Sequence, residues 1–366
     1  MKTAIRELIR KPGRFLTAGF ALTLIVVLIL LLGGLLDGLY LGSTQALQAQ
    51  SAQVFVYSKD ANDSFFRSRL DAATREEVAS VNGVSSVAGL SVAQLPVRAP
   101  GQVEPDDAAV FGYEAANQQV PAPPPTGQAY VDRAFEDSAI EVGDTLQLGP
   151  QRTPITIAGW VQDTAFSLQG GIWMDPQTWS RVIEANVPAA VLAPGGSQAI
   201  LVTTAAGQEA QTVADRIARQ VSSVTALTKE DAILGIPGVR DQRSIFTAII
   251  TVTFVVAGLV VALFFALLTL ERVGLFGVLK AIGTTSRTLA AGLSLQAVLI
   301  ALAAFVLGGV ITLALAAVIP AAIPLRLEPR RGLITVLGLV CTALIGSAIS
   351  FRRIIRIDPA TAVGGS

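Results

Sequence analysis

Residues 15–36 read FLTAGFALTLIVVLILLLGGLL, a run of 22 residues without one charged side chain. An α-helix needs about 20 apolar residues to cross the hydrocarbon core of a bilayer. The apolar region of a secretory signal is shorter, about 7–15 residues, and no convincing small-residue cleavage site follows closely here. We therefore predict a retained membrane-spanning helix near the N-terminus.

Three further uncharged stretches follow, at residues 244–270, 288–325 and 332–351. The polar insert between the first and second stretches, residues 41–242, holds 12 Lys/Arg and 22 Asp/Glu, a net charge of −10. Because 52% of the residues are hydrophobic and only 15% are charged, the chain is too apolar for one soluble domain. This layout predicts one span, a domain outside the bilayer, and then three more spans.

The short charged flanks predict the orientation, because Lys and Arg concentrate on the cytoplasmic side. The N-terminal arm, the connection 271–287 and the tail after residue 351 each carry at least three Lys/Arg and one Asp/Glu. We therefore expect both termini in the cytoplasm and the insert on the far side. The connection 320–331 argues the other way, since it holds Arg326, Arg330 and Arg331.

The insert contains the order strand, helix, Val-Ser-Ser-Val, strand at two places, which predicts two βαβ units of a ferredoxin-like sheet. Asp71 is the expected N-cap of the first helix, and residues 43–53 are expected to extend the first span as a stalk. The predicted elements are strands at 54–57, 84–97 and 199–202, helices at 71–81 and 208–220, and an extended run after residue 224.

Between these units lies a segment rich in proline and glycine, residues 100–195, with short apolar runs typical of strands. A Pro-rich spacer at 121–125 precedes runs at 128–131, 142–148, 155–161 and 171–174. This spacing predicts a small β-barrel or β-sandwich inserted between the βαβ units.

The predicted fold is an α-helical membrane protein with four transmembrane helices plus an α+β extracytoplasmic domain, in which ferredoxin-like βαβ units carry a β-rich subdomain. The predicted segments are a cytoplasmic arm 1–14, helix 15–42, an extracytoplasmic domain 43–242 (βαβ parts 43–99 and 196–235, β-rich part 100–195), helix 243–270, a cytoplasmic coupling segment 271–287, helix 288–319, an external loop 320–331, helix 332–351 and a cytoplasmic tail 352–366.

The residue inventory argues against catalysis. The chain has no histidine, which removes Ser-His-Asp and Cys-His arrangements and the usual zinc ligands. No phosphate-binding P-loop motif occurs, and no segment is basic and aromatic enough for nucleic acid. Asp106-Asp107 and Glu76-Glu77 are adjacent carboxylates that point apart and are expected in solvent. The apolar cores carry no Asp, Glu, Lys or Arg, which disfavours ion-coupled transport.

Two features mark the outer end of the first span. Gly34, Gly38 and Gly42 form a GxxxGxxxG ladder on one helix face, which favours close helix packing or a dimer. Asp37 and Tyr40 lie beside the ladder. We expect Asp37 to be an interfacial residue in contact with water; the alternative is that Asp37 and Tyr40 line a substrate or dimer cleft.

The segment after the second span, residues 271–283, reads ERVGLFGVLKAIG. It resembles the cytoplasmic connection of MacB/FtsX-type (type VII) ABC transporter permeases, approximately E-R-x-R-E-I-G-x-L-K/R-A-I/L-G. Residues 353–360 resemble the family's R-x-x-R-x-D-P-A tail, and the style is closest to the DevC/HrtB-like subgroup. The family's Arg-Glu pair is replaced by Gly274-Leu275, which implies a more apolar contact.

The resemblance implies a permease that works as a dimer, here a homodimer, with two copies of a cytoplasmic ATPase that holds the ATP and Mg; no cofactor is expected in this chain. Leu275, Phe276 and Leu279 would form the apolar face that docks on the ATPase. The ATPase-coupling residues implied are Glu271, Arg272, Leu275, Phe276, Leu279, Lys280, Ile282 and Gly283.

The resemblance also implies that the protein lies in the bacterial inner (cytoplasmic) membrane. We expect export or extraction of a hydrophobic or amphipathic molecule by mechanotransmission; if the molecule is haem, Tyr40 is the candidate ligand. The alternative is an FtsX-like signal transducer that activates a cell-wall hydrolase outside.

Overall fold

The computed structural model describes residues 12–138, 140–271, 278, 282–320 and 323–355. The helices are α1 (Pro12–Gln48), α2 (Ala72–Ala79), α3 (Pro176–Asn186), α4 (Ala210–Gln220), α5 (Lys229–Leu234), α6 (Val239–Glu271), α7 (Ser286–Ala316) and α8 (Pro329–Ile355). The strands are β1 (Val54–Ser58), β2 (Val84–Arg98), β3 (Asp106–Tyr113), β4 (Gln128–Asp132), β5 (Thr145–Leu148), β6 (Thr153–Val161), β7 (Gly170–Met174), β8 (Ala199–Thr204) and β9 (Val224–Thr228).

The chain forms two compact units. The first, called the membrane unit, consists of Met1–Gly38 and Arg243–Ser366, and the second, called the α/β unit, is Leu39–Gln242. Among the described residues, the membrane-length apolar helices number four, and they lie in α1, α6, α7 and α8. The predicted combination of four membrane helices and a mixed α/β domain is therefore confirmed.

Small residues let the four apolar helices approach one another closely. A Cβ atom on Gly308 of α7 would lie 2.6 Å from a methyl carbon of Val26 on α1, and one on Gly346 of α8 would lie 2.9 Å from Val261 on α6. The buried core between the helices also holds five alanines, at positions 257, 297, 301, 304 and 343. Close backbone approach of this kind is how helices gain packing energy where lipid replaces water.

The βαβ prediction is confirmed in the α/β unit. Strands β2, β8, β1 and β9 lie in that order and every neighbouring pair is antiparallel, which is the interleaved order of two βαβ units. Asp71 caps α2 as expected, because its carboxylate accepts a hydrogen bond from the Thr74 N–H at 2.8 Å. That hydrogen bond also lowers the pKa of Asp71.

The inserted segment is a barrel rather than a sandwich. Its strands follow the order β3-β7-β4-β6-β5-β2, and β2 also pairs with β3, which closes a ring of six strands. Strand β2 serves both parts, since Val84–Leu90 pairs with β8 and Leu90–Val97 pairs with β3. The two parts of the unit therefore share a strand.

Three elements were not predicted from the sequence: β3, α3 and α5. Helix α3 had a local signal, since Asp175 precedes Pro176 and its carboxylate accepts hydrogen bonds from the Gln177 and Thr178 N–H groups. Strand β3 lacks an alternating pattern because its last six residues are all buried.

Candidate functional site

The end of α1 is fixed to the α/β unit by the loop between β6 and β7. Residues 42–46 of α1 and residues 163–168 of the loop form a contact that we call the joint. Its hydrogen bonds are Ala46 N to Ala165 O (3.0 Å), Leu168 N to Gly42 O (2.9 Å), Ser167 N to Ser43 O (3.4 Å) and Gln45 Nε2 to Asp163 Oδ1 (2.8 Å). The loop therefore follows the end of the helix for more than one turn.

The loop side of the joint is conformationally strained. Asp163, Ser167 and Leu168 have φ values of 55°, 52° and 67°, in the left-handed region that non-glycine residues seldom adopt. Such residues persist where the surroundings hold them, and they cluster at sites that switch or bind. Here the surroundings include Asp132, whose buried Oδ2 accepts both the Thr164 N–H at 2.8 Å and the Thr164 hydroxyl at 2.5 Å.

Polar atoms without partners lie at and beside the joint. Gln45 Oε1, Gln169 Oε1 and Trp173 Nε1 are buried and have no hydrogen-bond partner among the described residues. A buried polar atom left unbonded costs about 1–3 kcal/mol. Phe166 of the loop meanwhile packs against Phe111 at 5.8 Å between ring centroids. Aromatic packing of Phe166 thus anchors the joint, while the three polar atoms named above have no hydrogen-bond partner among the described residues.

Lys229 binds one carbonyl group at the end of α1 and one just beyond it. Its ammonium donates hydrogen bonds to Gln48 O and, at 2.6 Å, to Gln50 O. A cation at a helix C-terminus is favoured by the unpaired carbonyls and by the helix dipole. Partial burial lowers the pKa of Lys229.

Asp37 is bound by Arg331 inside the membrane unit. Arg331 Nε and Nη2 each lie 2.5 Å from one oxygen of the Asp37 carboxylate, a bidentate pair. The Asp37 and Arg331 side chains are 16% and 27% exposed. The carboxylate is therefore held by a guanidinium rather than simply facing water.

The glycine ladder is covered by the chain itself. A Cβ on Gly38 would lie 1.6 Å from the carbonyl oxygen of Pro324, and one on Gly34 would lie 2.8 Å from Leu327. The Arg326 N–H also donates to Gly34 O at 3.0 Å. A dimer through this face remains a prediction and would require residues 324–327 to move aside.

Gly42 and Tyr40 lie in the α/β unit. A Cβ on Gly42 would lie 2.9 Å from Leu168 of the joint. Tyr40 packs, partly buried, against the aromatic core that includes Phe111 and Trp173. Each member of the predicted Asp37–Tyr40 pair therefore packs within its own unit, and a shared cleft stays a prediction.

Of the predicted ATPase-coupling residues, Arg272, Leu275, Phe276, Leu279 and Lys280 lie outside the described residues. The other three are described: Glu271 ends α6, Ile282 is 77% exposed, and Gly283 has φ +99°.

A left-handed φ at Gly283 favours glycine, as in the motif. Thr285 then caps α7 by accepting a hydrogen bond from the Thr288 N–H.

Sequence reasoning missed Arg331, Lys229 and the loop 163–168. Only Arg331 had a signal in the sequence. Three arginines in the connection 320–331 contradicted the expected charge distribution, and the partner of one of them is the acidic residue at the end of the first span. The loop and Lys229 carry no motif, because their roles depend on contacts far along the chain.

Residues 247–359 match the family model described as FtsX-like permease C-terminal. This region is an FtsX-like permease domain. The match includes the motif at residues 271–283 and most of the tail motif at 353–360, and the resemblance stated from the sequence is confirmed. An FtsX-like permease domain beside four membrane-length helices indicates a membrane subunit of an ABC transporter, a setting that implies a partner ATPase.

Two of the relatives match along the whole length of the chain, and a third matches about one third of it. It is 19% identical over 374 residues to a Staphylococcus epidermidis protein that bears the name of a hemin transport system permease, HrtB, covering 100% of this chain and 99% of that one. It is 26% identical over 379 residues to Rv2563, an uncharacterized ABC transporter permease of Mycobacterium tuberculosis, covering 99% of both. A second permease of that organism, Rv0072, is 38% identical over 112 residues, 31% of this chain and 32% of Rv0072.

Two solved structures are similar to part of the permease. The extracellular domain of the noncanonic ABC-type transporter YknZ from Gram-positive bacteria matches with 10% identity and a TM-score of 0.34, covering 48% of this chain and 98% of that domain. The periplasmic region of MacB from Actinobacillus actinomycetemcomitans matches with 8% identity and a TM-score of 0.35, covering 50% and 91%.

Proposed function

We propose that this permease couples ATP hydrolysis in a partner ATPase to the export or extraction of a hydrophobic or amphipathic molecule. The observation that carries the proposal is α1, one uninterrupted helix from Pro12 to Gln48. An α-helix transmits displacement along its axis, because its successive turns are hydrogen-bonded to one another. Its first residues belong to the membrane unit and its last residues to the α/β unit.

The cytoplasmic end of the coupling is the segment 271–283, which would dock in a groove of the ATPase. Leu275, Phe276 and Leu279 would supply the apolar contact, with Lys280 at its edge. The exposure of Ile282 supports an apolar partner, since a side chain 77% exposed gains by burial against another protein. ATP and Mg would be bound by the ATPase, and each permease of a homodimer would bind one copy.

The far end of the coupling is the joint. A displacement of the helix end would reach Asp163 and Leu168 through the joint's hydrogen bonds, and from there the strands β6 and β7 that the loop connects. The left-handed φ values of Asp163, Ser167 and Leu168 support a loop with a second accessible conformation. Substrate need not cross the bilayer core in this mechanism.

The proposed orientation puts both termini in the cytoplasm and the α/β unit outside the inner membrane. Haem is the first substrate to test, because a whole-length relative carries a hemin transport name. The chain has no histidine, so Tyr40 is the proposed ligand.

The decisive experiment co-purifies the permease with the ATPase encoded beside it, in lipid nanodiscs, and measures ATP hydrolysis with and without haem. Leu279→Asp is expected to abolish ATPase binding or stimulation, because a carboxylate would enter the apolar contact. Thr284→Asp, which adds the same charge in the same connection, should leave both intact. An unaffected Leu279→Asp complex, or the absence of any co-purifying ATPase, would contradict the proposal.

The alternative function, an FtsX-like signal transducer, differs from a transporter in what ATP hydrolysis produces. A transducer would hydrolyse ATP without moving haem or other amphipathic molecules between vesicles, and would instead raise the activity of a cell-wall hydrolase added outside. Transport into or out of vesicles, dependent on ATP, supports the proposed export.

A further inference from the structure

The barrel carries a polar cleft of about 470 Å³ at the end of β2. One wall is the connection between β2 and β3, residues 99–103, and the other is the hairpin between β5 and β6. The polar residues of the lining are Arg98, Gln102, Thr145, Gln147 and Arg152. All of these belong to the barrel, so the cleft lies within one compact unit.

Two arginines supply the formal charge of the lining. Arg98 is half-buried in the last position of β2, opposite Gln147 of β5, and Arg152 is exposed on the hairpin. Neither guanidinium makes an ion pair or a hydrogen bond with any residue in the described parts of the chain. Each therefore keeps its five donors available.

This arrangement is unusual for the surroundings of the cleft. The insert has a net charge of −10, and Asp106 lies on the adjoining strand. Yet Asp106 accepts a hydrogen bond from Gln102 at 3.2 Å and makes no bond to Arg98 or Arg152. Two unpaired cations in one concave polar site create a local positive potential within an acidic domain.

The walls are fixed in place without any ligand. Ala99 N–H donates to Gln102 Oε1 at 3.0 Å, and Gln102 N–H donates back to Ala99 O at 3.1 Å. On the other wall, Gly149 N–H donates to Pro96 O at 2.8 Å, which ties the hairpin to β2. A site whose walls are already ordered loses less conformational entropy when it binds.

We propose that this cleft binds an anion with at least two negative charges, a phosphate or a polycarboxylate. The guanidinium of Arg98 would form the inner bidentate contact and Arg152 the outer one, since both oxyanions match the planar fork of arginine. Gln147 and Thr145 supply neutral polar contacts on the strand between the two cations. The site is independent of the hydrophobic substrate proposed above.

The test uses the full-length permease in phosphatidylcholine nanodiscs and isothermal titration with pyrophosphate and, separately, with citrate at low salt. Saturable binding of one anion per chain is expected for pyrophosphate, citrate or both. The anion that binds more tightly shows whether the cleft prefers a phosphate or a polycarboxylate. Arg98→Gln and Arg152→Gln should each weaken binding about tenfold or more, as loss of a charged hydrogen-bond donor does.

Arg219→Gln is the matched control, because Arg219 is exposed on α4 and lies outside the cleft. It should bind as the wild type does, and all three variants should keep the wild-type thermal unfolding midpoint. The proposal is overturned if neither anion saturates the wild type, or if Arg219→Gln weakens binding as much as the two cleft variants.

Discussion

The Asp37–Arg331 pair gives the clearest view of the molecule at the scale of residues. An arginine at a span end that is expected to lie outside the cytoplasm does not fit the Lys/Arg bias from which orientation is inferred. The pair explains how it is accommodated, since the carboxylate of Asp37 neutralises it at 2.5 Å in a bidentate geometry. An ion pair that is only partly exposed keeps more of its energy than a surface pair does.

Arg331→Met is expected to destabilise the permease by about 1–3 kcal/mol, because it leaves the half-buried Asp37 carboxylate without its partner. Asp37→Asn should cost a similar amount, and the double variant should cost less than the sum of the two. Thermal unfolding in detergent micelles measures all three. Arg330→Met, at an exposed neighbour, is the control; a loss there equal to that of Arg331→Met would contradict a specific pair.

At the scale of elements, α1 combines two roles that its sequence does not separate. Gly34 and Gly38 pack closely against residues 324–327 in the membrane unit. Residues 42–46 of the same helix form the joint with the loop 163–168 in the α/β unit. The glycine spacing predicted that another part of the protein packs closely on this face of α1, and residues 324–327 do so. It could not predict the partner, because glycine spacing describes one surface of a contact and leaves the other surface open.

Gly38→Ala is expected to destabilise the fold by about 1–3 kcal/mol through overpacking, because the new Cβ would lie 1.6 Å from the Pro324 carbonyl oxygen, a backbone atom. Gly309→Ala in α7 is the matched control, since a Cβ there has nothing within 4 Å. It should be neutral, or stabilise by up to about 1 kcal/mol through helix propensity. Equal thermal midpoints for the two variants would show that residues 324–327 do not pack on Gly38.

For the molecule as a whole, the defining feature is a single helix, α1, that belongs at one end to the membrane unit and at the other to the α/β unit. The joint is the place where its last turns meet a loop of the barrel. In the proposed mechanism, transmission of movement to the α/β unit depends on the loop moving with the helix. If the loop no longer moved with the helix, ATP hydrolysis would be uncoupled from movement of the α/β unit.

Insertion of two glycines between Ser167 and Leu168 is expected to leave ATPase assembly and basal hydrolysis intact. ATP-dependent haem export should fall by about tenfold, within the usual range of coupling free energies between distant sites. The same insertion after Gly207, where a Cβ would meet nothing within 4 Å, is the control. Vesicle export and hydrolysis are measured together, and an equal loss of both activities in the Ser167 variant would argue against transmission through the joint.

The four membrane helices, the two βαβ units and the resemblance to FtsX-type permeases could all be predicted from the amino-acid sequence. These properties are local: a span is a length of apolar chain, a cap is a residue beside its helix, and a motif is contiguous. Helix α3 was within reach of the same reasoning, through Asp175 and Pro176. Strand β3 was not, because burial of its last six residues removes the alternation that marks a strand.

The partners of these local features could be identified only in the folded protein. Asp37 and Arg331 are separated by 294 residues, and Gln45 and Asp163 by 118. The two cleft arginines come together because β2 pairs with β5. Contacts of this kind arise when strands and helices bury their apolar faces, and the polar groups are placed by that packing. No pattern along the chain encodes them, which is why the pair, the joint and the cleft became visible only in three dimensions.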